Sequence, residues 1–250
     1  MQISVHSNIG RRRSSNQDYA DYYTSKAKQV LFILCDGVGG NQAGDVASKM
    51  TTEYIGKEFQ NIDQSLTWQA AETWLIEIVD AVNQEIYDLS LSKDEYKGMS
   101  TTLVMALAAD DQLVICHVGD SRAYIFNEEG LSQVTDDHSL VNELIRSGEI
   151  TELEGEHHPQ RNIVTQAIGG TEQVESEINH FDLSQVDYLL LCSDGLSNMV
   201  NHKQMLEYFK SHQSLDTLGE ALIDAANEAG GSDNITVVLA SDLMNEEVTD

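Results

Sequence analysis

The stretch VLFILCDGVGG at residues 30–40 places five apolar residues and a cysteine in front of an aspartate and a glycine. The same order recurs in DYLLLCSDGLS at residues 187–197, and QLVICHVGDS at residues 112–121 runs into a glycine and an aspartate. Short apolar runs of this length are typical of buried strands. The sequence therefore predicts three buried strands that each lead to an aspartate beside a glycine.

The other segments predict an α+β fold. Strand-like runs come in neighbouring pairs, and helical periodicity separates the pairs at residues 43–59, 67–89, 139–148, 201–210 and 214–231. Residues 151–170 have no clear period, which predicts irregular structure. Regular alternation of strand and helix is missing, so the pattern favours antiparallel sheets covered by helices over a parallel sheet.

The charge balance limits the partners. The chain of 250 residues has 42 acidic and 14 basic residues, a net charge of −28. Such a surface repels nucleic acid and anionic membranes, so we expect no nucleic-acid partner. No apolar run approaches the roughly 18 residues that span a bilayer, and no apolar segment follows the basic residues near the start. We therefore expect a cytoplasmic protein without membrane insertion.

Aspartates at the predicted strand ends suggest a cation site. Asp36, Asp120 and Asp194 follow apolar strands, and Asp233 precedes one. Carboxylates that converge at one sheet edge repel each other, so their pKa values rise or they bind cations such as Mg²⁺ or Mn²⁺. A glycine such as Gly37 would let its carbonyl group approach a metal. The alternative is that each Asp-Gly pair is a common turn.

Three further motifs have competing interpretations. Cys116 and Arg122 have the spacing of a cysteine phosphatase loop, but Asp120 would then place a carboxylate among the groups that bind phosphate. Arg13 belongs to GRRRSSNQD, which is either a solvated turn or a site where a guanidinium group meets phosphate. His138, in DDHSL, is either a ligand or part of a helix cap.

Taken in order, the motifs resemble those of the metal-dependent serine/threonine protein phosphatases of the PP2C type, and in particular the compact bacterial catalytic domains. The motifs are RSSNQD, LCDGVGGNQAGDVAS, GMSTTL, HVGDSRAY, DDHSLVNELIRSGEI, HHPQRNIVTQAIGG, LLLCSDGLSNM and GGSDNITVVL. The resemblance implies a sandwich of two antiparallel β-sheets with helices on both outer sides. It also implies one phosphatase domain over residues 1–243, a flap at about residues 144–168 and an acidic tail at residues 244–250.

The resemblance assigns a role to each candidate site residue. Two cations, Mn²⁺ or Mg²⁺, would lie at one end of the sandwich, with a third, weaker one in addition. The implied metal ligands are Asp36, which bridges, the Gly37 carbonyl group, Asp194 and Asp233, with Asp18 holding metal-bound waters and Asp120 serving the third cation. Arg13 would bind the phosphate, and a hydroxide bridging the cations would attack phosphorus.

The resemblance also implies partners and leaves one role open. It implies phosphorylated proteins as substrates, a bacterial serine/threonine kinase whose action is reversed, and a monomer. Val38 and Asn41 stand where relatives have other residues, including the histidine proposed as general acid, so water is the default proton donor. The alternatives are a catalytically silent binding module of the same fold and a cysteine phosphatase that uses Cys116.

Overall fold

The computed structural model describes residues 1–38, 43–211 and 214–244. Its strands are β1 (Gln2–Asn8), β2 (Asp18–Thr24), β3 (Val30–Val38), β4 (Ser100–Thr101), β5 (Leu103–Ala109), β6 (Gln112–Val118), β7 (Arg122–Asn127), β8 (Gly130–Gln133), β9 (Glu177–Asp182), β10 (Tyr188–Cys192) and β11 (Ile235–Ser241). Its helices are α1 (Gly44–Gln60), α2 (Trp68–Ser92), α3 (Leu140–Arg146), α4 (Glu152–Glu156), α5 (Asp194–Ser197), α6 (His202–Ser211) and α7 (Leu215–Glu228).

The strands form two antiparallel sheets. The first has the order β1-β11-β10-β7-β8, and the second has the order β2-β3-β5-β6-β9, with the short β4 paired to β3. Both β3 and β10 are central in their sheets, which is why their side chains are almost all apolar. The two sequence stretches that end in Asp-Gly therefore belong to different sheets.

Three apolar layers hold the sheets and helices together. Side chains that alternate along β3, such as Phe32 and Leu34, face the other sheet and form the inner layer with Leu189 and Leu191. The opposite face of β3 packs on α1 and α2 through residues such as Ile33 and Leu75. The outer face of the first sheet is covered by the helices that follow β10. The layer order of helix, sheet, sheet and helix confirms the predicted α+β sandwich.

Several local predictions need correction. The strand β9 (Glu177–Asp182) was not predicted, because its polar residues hide its pairing with the apolar β6 at a sheet edge. The region expected to be irregular contains α4, which begins with a capping box between Thr151 and Glu154. The alternative that the DHS segment caps α3 is confirmed: the cap is Ser139, whose hydroxyl oxygen accepts the Asn142 N–H.

The segment predicted to be a flap, residues 144–168, follows the start of α3 and is joined to the sandwich at its base. Ser139 pairs with Val164, and Thr101 pairs with Ile168, each as an isolated antiparallel bridge. Whether this segment moves stays a prediction, as does the single domain over residues 1–243. Of the predicted acidic tail, residues 245–250 lie outside the described residues. Among the helices that the structure describes, none is long and apolar enough to cross a membrane.

Candidate active site

Two of the predicted aspartates are direct neighbours across a strand pair. Asp18, at the start of β2, lies opposite Asp36 of β3 in the antiparallel register. The Asp36 backbone is held by the next strand segment: its N–H donates to the Thr102 hydroxyl oxygen at 3.0 Å, and its carbonyl oxygen accepts the Thr102 N–H at 2.8 Å. The Thr101 hydroxyl group also donates to that carbonyl oxygen, at 2.8 Å. The position of Asp36 is therefore set by backbone contacts that leave its carboxyl group available.

The other sheet contributes Asp194, the first residue of α5 directly after β10. The Asn198 side-chain amide donates to Asp194 Oδ2 at 3.0 Å, one helical turn away. The neighbouring Ser193 hydroxyl group donates to Asp18 Oδ2 at 2.8 Å, across the two sheets. The Asp36 carboxyl group lies close enough to those of Asp18 and Asp194 to affect the pKa of each.

Asp233 and Arg13 complete the group at its open side. Arg13 Nη2 donates to Asp233 Oδ2 at 2.6 Å, and the Arg13 side chain is 44% exposed. The hydrogen bond with Asp233 raises the pKa of Arg13, and the charges of Asp233, Asp36 and Asp194 raise it further. Arg13 is therefore positioned at the acidic cluster and still faces solvent.

Four carboxyl groups of the cluster, those of Asp18, Asp36, Asp120 and Asp194, have raised pKa values. Desolvation is the largest cause for each, followed for Asp36 by repulsion from Asp18, Asp194, Asp120 and Asp233. The pKa rises to about 6 for Asp18 and Asp120 and to about 8 for Asp194, and it lies well above its ordinary value for Asp36. The Oδ1 atoms of Asp18 and Asp194 are buried and have no hydrogen-bond partner. Such a cluster favours protonation or a cation, and its all-oxygen donors fit a hard divalent cation.

The predicted site residues therefore come together. Asp18, Asp36, Asp194 and Asp233 converge with Arg13, and Asp120 is close enough to raise the pKa values of Asp36 and Asp194. Gly37 follows Asp36, and its N–H donates to the Gln17 carbonyl oxygen at 3.1 Å. A Cβ atom on Gly37 would lie 2.5 Å from the Gly44 backbone, so close packing already explains why this residue is glycine. A role of its carbonyl group toward a metal stays a prediction.

Known proteins are similar to this one over almost the whole chain. The sequence profile of the family described as Protein phosphatase 2C matches residues 8–239. The chain belongs to the protein phosphatase 2C family. It is 42% identical over 239 residues to a putative protein phosphatase 2C-type of Streptococcus pyogenes, covering 96% of each chain. It is 40% identical over 248 residues to protein phosphatase PhpP of Streptococcus pneumoniae, covering 99% of each.

A solved structure of the same family has the same fold. The crystal structure of serine/threonine phosphatase Stp1 from Staphylococcus aureus aligns with a TM-score of 0.92 at 36% identity, over 96% of this chain and 94% of that one. The predicted resemblance to PP2C-type phosphatases is thereby confirmed. The protein phosphatase 2C family is metal-dependent, which agrees with the oxygen-rich cluster.

The alternative of a cysteine phosphatase is wrong. Cys116 is fully buried in the middle of β6, paired with Met105 and Ile178 on the two neighbouring strands. Burial raises the pKa of the Cys116 thiol to about 12, so the thiolate that such a mechanism needs does not form near neutral pH. Arg122 is engaged elsewhere, because its Nε and Nη2 atoms donate to the two Asp137 carboxylate oxygens at 2.8 and 2.6 Å.

Sequence reasoning missed some polar residues that build the phosphatase site. Asn234 is buried, and its Oδ1 atom accepts the Gln17 N–H at 2.9 Å. Its Nδ2 atom donates to the Ile9 and Ser15 carbonyl oxygens, both at 2.9 Å, so it anchors the loop that carries Arg13 next to Asp233. The sequence could have indicated these residues through the order SDN and the paired threonines of GMSTTL. Polar residues beside buried strands are usually buried as well and then form hydrogen bonds.

A second group of possible ligands lies nearby. His117, His138 and Glu177 each offer an atom, and these atoms lie within 4.8 Å of one another. The Gly119 N–H donates to His138 Nδ1 at 3.2 Å, so in the neutral ring the proton is on Nε2, the nitrogen atom 3.6 Å from Glu177. That nitrogen atom has no lone pair for a metal. The group is therefore a poor cation site compared with the aspartate cluster.

The residue after Gly37 offers no proton donor. Val38 ends β3 and pairs with Ser100 of β4, and its side chain has no acidic proton. Asn41, the other position that departs from relatives, lies outside the described residues.

Proposed function

We propose that the protein is a metal-dependent phosphatase that hydrolyses phosphoserine and phosphothreonine in proteins. The observation that carries this proposal is the meeting of Asp18, Asp36 and Asp194, with two buried and unpartnered carboxylate oxygens, beside the half-exposed Arg13. The relatives include PhpP and Stp1, whose names describe protein and serine/threonine phosphatases. A silent binding module would have no need to keep repelling carboxyl groups together.

The family resemblance implies how the carboxylates would divide between the cations. Asp36 lies in the middle of the cluster and would bridge two cations, Mn²⁺ or Mg²⁺, with the Gly37 carbonyl group on one of them. Asp194 and Asp233 would hold the other cation. Asp18 would act through water, and Asp120 would serve a third, weaker cation. When bound, such cations supply positive charge to the phosphoryl group and lower the pKa of a water molecule that acts as nucleophile.

The chain's own residues hold this arrangement and receive the substrate. Arg13 would place its guanidinium group on the phosphoryl oxygens, where a forked donor matches their geometry, while Asp233 fixes its direction through the 2.6 Å contact. A cavity of about 560 Å³ extends from Asp120 and Asp194 toward α3 and α4, and it is large enough for residues that flank the phosphorylated side chain. Because neither Val38 nor Asn41 is a histidine, water would be the default donor of the proton to the leaving oxygen atom.

The family resemblance implies a biological setting. We expect the substrates to be phosphoproteins, the partner in signalling to be a bacterial serine/threonine kinase whose action the protein reverses, and the protein to act as a monomer in the cytoplasm. The surface charge of −28 makes the local positive charge of the cations and Arg13 necessary for phosphate to approach.

Hydrolysis of an aryl phosphate and of matched phosphoserine and phosphotyrosine peptides tests the proposal. We expect turnover with Mn²⁺, none with EDTA, and a preference for the phosphoserine peptide. Asp36→Asn should remove activity, whereas Cys116→Ala should retain it because that thiol is buried within the sheet. A wild-type protein that is folded but has no Mn²⁺-dependent turnover would instead be a binding module.

A further inference from the structure

One side of the loop that carries Asp120 is held by His138 through two hydrogen bonds. The Gly119 N–H donates to His138 Nδ1 at 3.2 Å, and the His138 N–H donates to the Gly119 carbonyl oxygen at 2.9 Å. His138 thus forms hydrogen bonds with both the N–H and the carbonyl group of Gly119, the residue before Asp120. Desolvation, followed by the neighbouring His117, lowers the pKa of His138, which favours the neutral ring that can accept a hydrogen bond.

The opposite side of the same loop packs against Thr102, the residue that bonds to the Asp36 backbone. Gly119 has a φ of +106°, and a Cβ atom there would lie 2.7 Å from Thr102 Cγ2. The Ser121 and Thr102 hydroxyl groups are 2.7 Å apart. Because Thr102 also bonds to the Asp36 backbone, the Asp120 loop is fixed between the centre of the site on one side and His138 on the other.

The His138 ring has little freedom to turn away. It is only 9% exposed and stacks on the His117 ring with 4.7 Å between the ring centres. His117 is itself held by a 2.8 Å contact between its Nε2 atom and the Asp136 carbonyl oxygen. The His138 carbonyl oxygen accepts the Thr165 N–H at 2.9 Å, which ties the same residue to the end of the predicted flap.

We propose that His138 is a positioning residue for Asp120. By accepting the Gly119 N–H, it fixes the orientation of the peptide that precedes Asp120 and so presents the carboxyl group to the weaker cation. The inference rests on the proposed function, because it assumes that Asp120 serves a cation. In this role His138 does not contact the substrate or the reacting atoms. It affects cation binding only through the position of Asp120.

The test compares two replacements of His138. His138→Asn keeps an acceptor atom at the position of Nδ1, whereas His138→Phe keeps a ring and removes the acceptor. Binding of Mn²⁺ to the metal-free proteins is measured by calorimetry and by electron paramagnetic resonance. We expect His138→Phe to weaken the weakest Mn²⁺ site roughly 10-fold, as is usual when the support of a ligand is lost. His138→Asn should recover most of this loss.

A double-mutant cycle separates positioning from general damage. In the Asp120→Asn background, His138→Phe should have no further effect on Mn²⁺ binding, because the residue it supports no longer binds the cation. Unchanged Mn²⁺ binding in His138→Phe, or an equal loss in both backgrounds, would overturn the inference. If the wild-type protein neither binds Mn²⁺ nor hydrolyses phosphate esters, it is the proposed function that fails.

A measurement on the wild-type protein keeps the inference testable if His138→Phe does not fold. Nitrogen-15 NMR of the histidine rings should find His138 with its proton on Nε2 and an unprotonated Nδ1, since Nδ1 accepts from Gly119. A proton on Nδ1 would mean that this hydrogen bond does not exist, and the inference would be wrong.

Discussion

Replacement of Asp36 by asparagine should stabilise the metal-free protein although it removes activity. The Asp36 carboxyl group is desolvated and surrounded by Asp18, Asp194, Asp120 and Asp233, so its pKa is well above the ordinary value. The folded protein therefore keeps a proton that the unfolded chain would release. Asparagine has nearly the same shape and needs no such proton.

The gain in stability that Asp36→Asn gives the metal-free protein depends on pH. An aspartate in an unfolded chain has a pKa of about 3.9. Below that pH the carboxyl group is protonated in both the folded and the unfolded chain, so Asp36 does not lower the free energy of unfolding there. As pH rises toward the folded pKa, wild-type stability falls by up to about 1.4 kcal/mol per pH unit for this one proton. From pH 5 to pH 7 the advantage of Asp36→Asn should grow, by at most about 3 kcal/mol for one proton, or roughly 6–12 °C in melting temperature for a chain of this size.

Thermal unfolding followed by circular dichroism, with EDTA present, measures this difference at pH 5, 6 and 7. Asp63→Asn, at an exposed position, is the matched control and should follow the wild type. Added Mn²⁺ should stabilise the wild type, by about 2.7 kcal/mol at a concentration 100 times the dissociation constant, and should stabilise Asp36→Asn much less. Parallel pH curves for Asp36→Asn and the wild type would refute the account of the cluster, as would equal stabilisation of both by Mn²⁺.

Two further substitutions test other parts of the site. Arg13→Ala should lower kcat/KM for an aryl phosphate by roughly 10- to 150-fold, the range for a lost hydrogen bond between charged groups, with Arg13→Lys in between; an unchanged kcat/KM would exclude Arg13 from phosphate binding. Gly119→Ala should destabilise the protein more than Gly98→Ala: both residues have positive φ, but the added Cβ atom meets Thr102 at Gly119 and open space at Gly98. We expect about 1 kcal/mol for Gly98→Ala and at least twice that for Gly119→Ala in denaturant unfolding, and equal losses would contradict the close contact.

Much of the fold could be predicted because its burial pattern is local. The apolar runs before Asp36 and Asp194 became β3 and β10, and the stripe over residues 67–89 became α2, with Thr67 accepting the Ala70 N–H as its cap. A central strand or an amphipathic helix can be predicted from the pattern of apolar residues within its own segment. The edge strand β9 could not be predicted in this way, because His180 and its polar neighbours have the composition of a loop. Only their pairing with β6 in the folded protein makes them a strand.

The amino-acid sequence by itself determined which residues have the right chemistry: the aspartates, the arginine and the family to which their order belongs. Only the tertiary structure decided which of them meet. Asp18 touches Ser193, and Gln17 touches Asn234, across 175 and 217 residues of chain. The support of Asp120 by His138 likewise appears only when the loops pack. The periodicity of a sequence reports how each segment is buried, whereas contacts between segments form only when the two sheets close on each other.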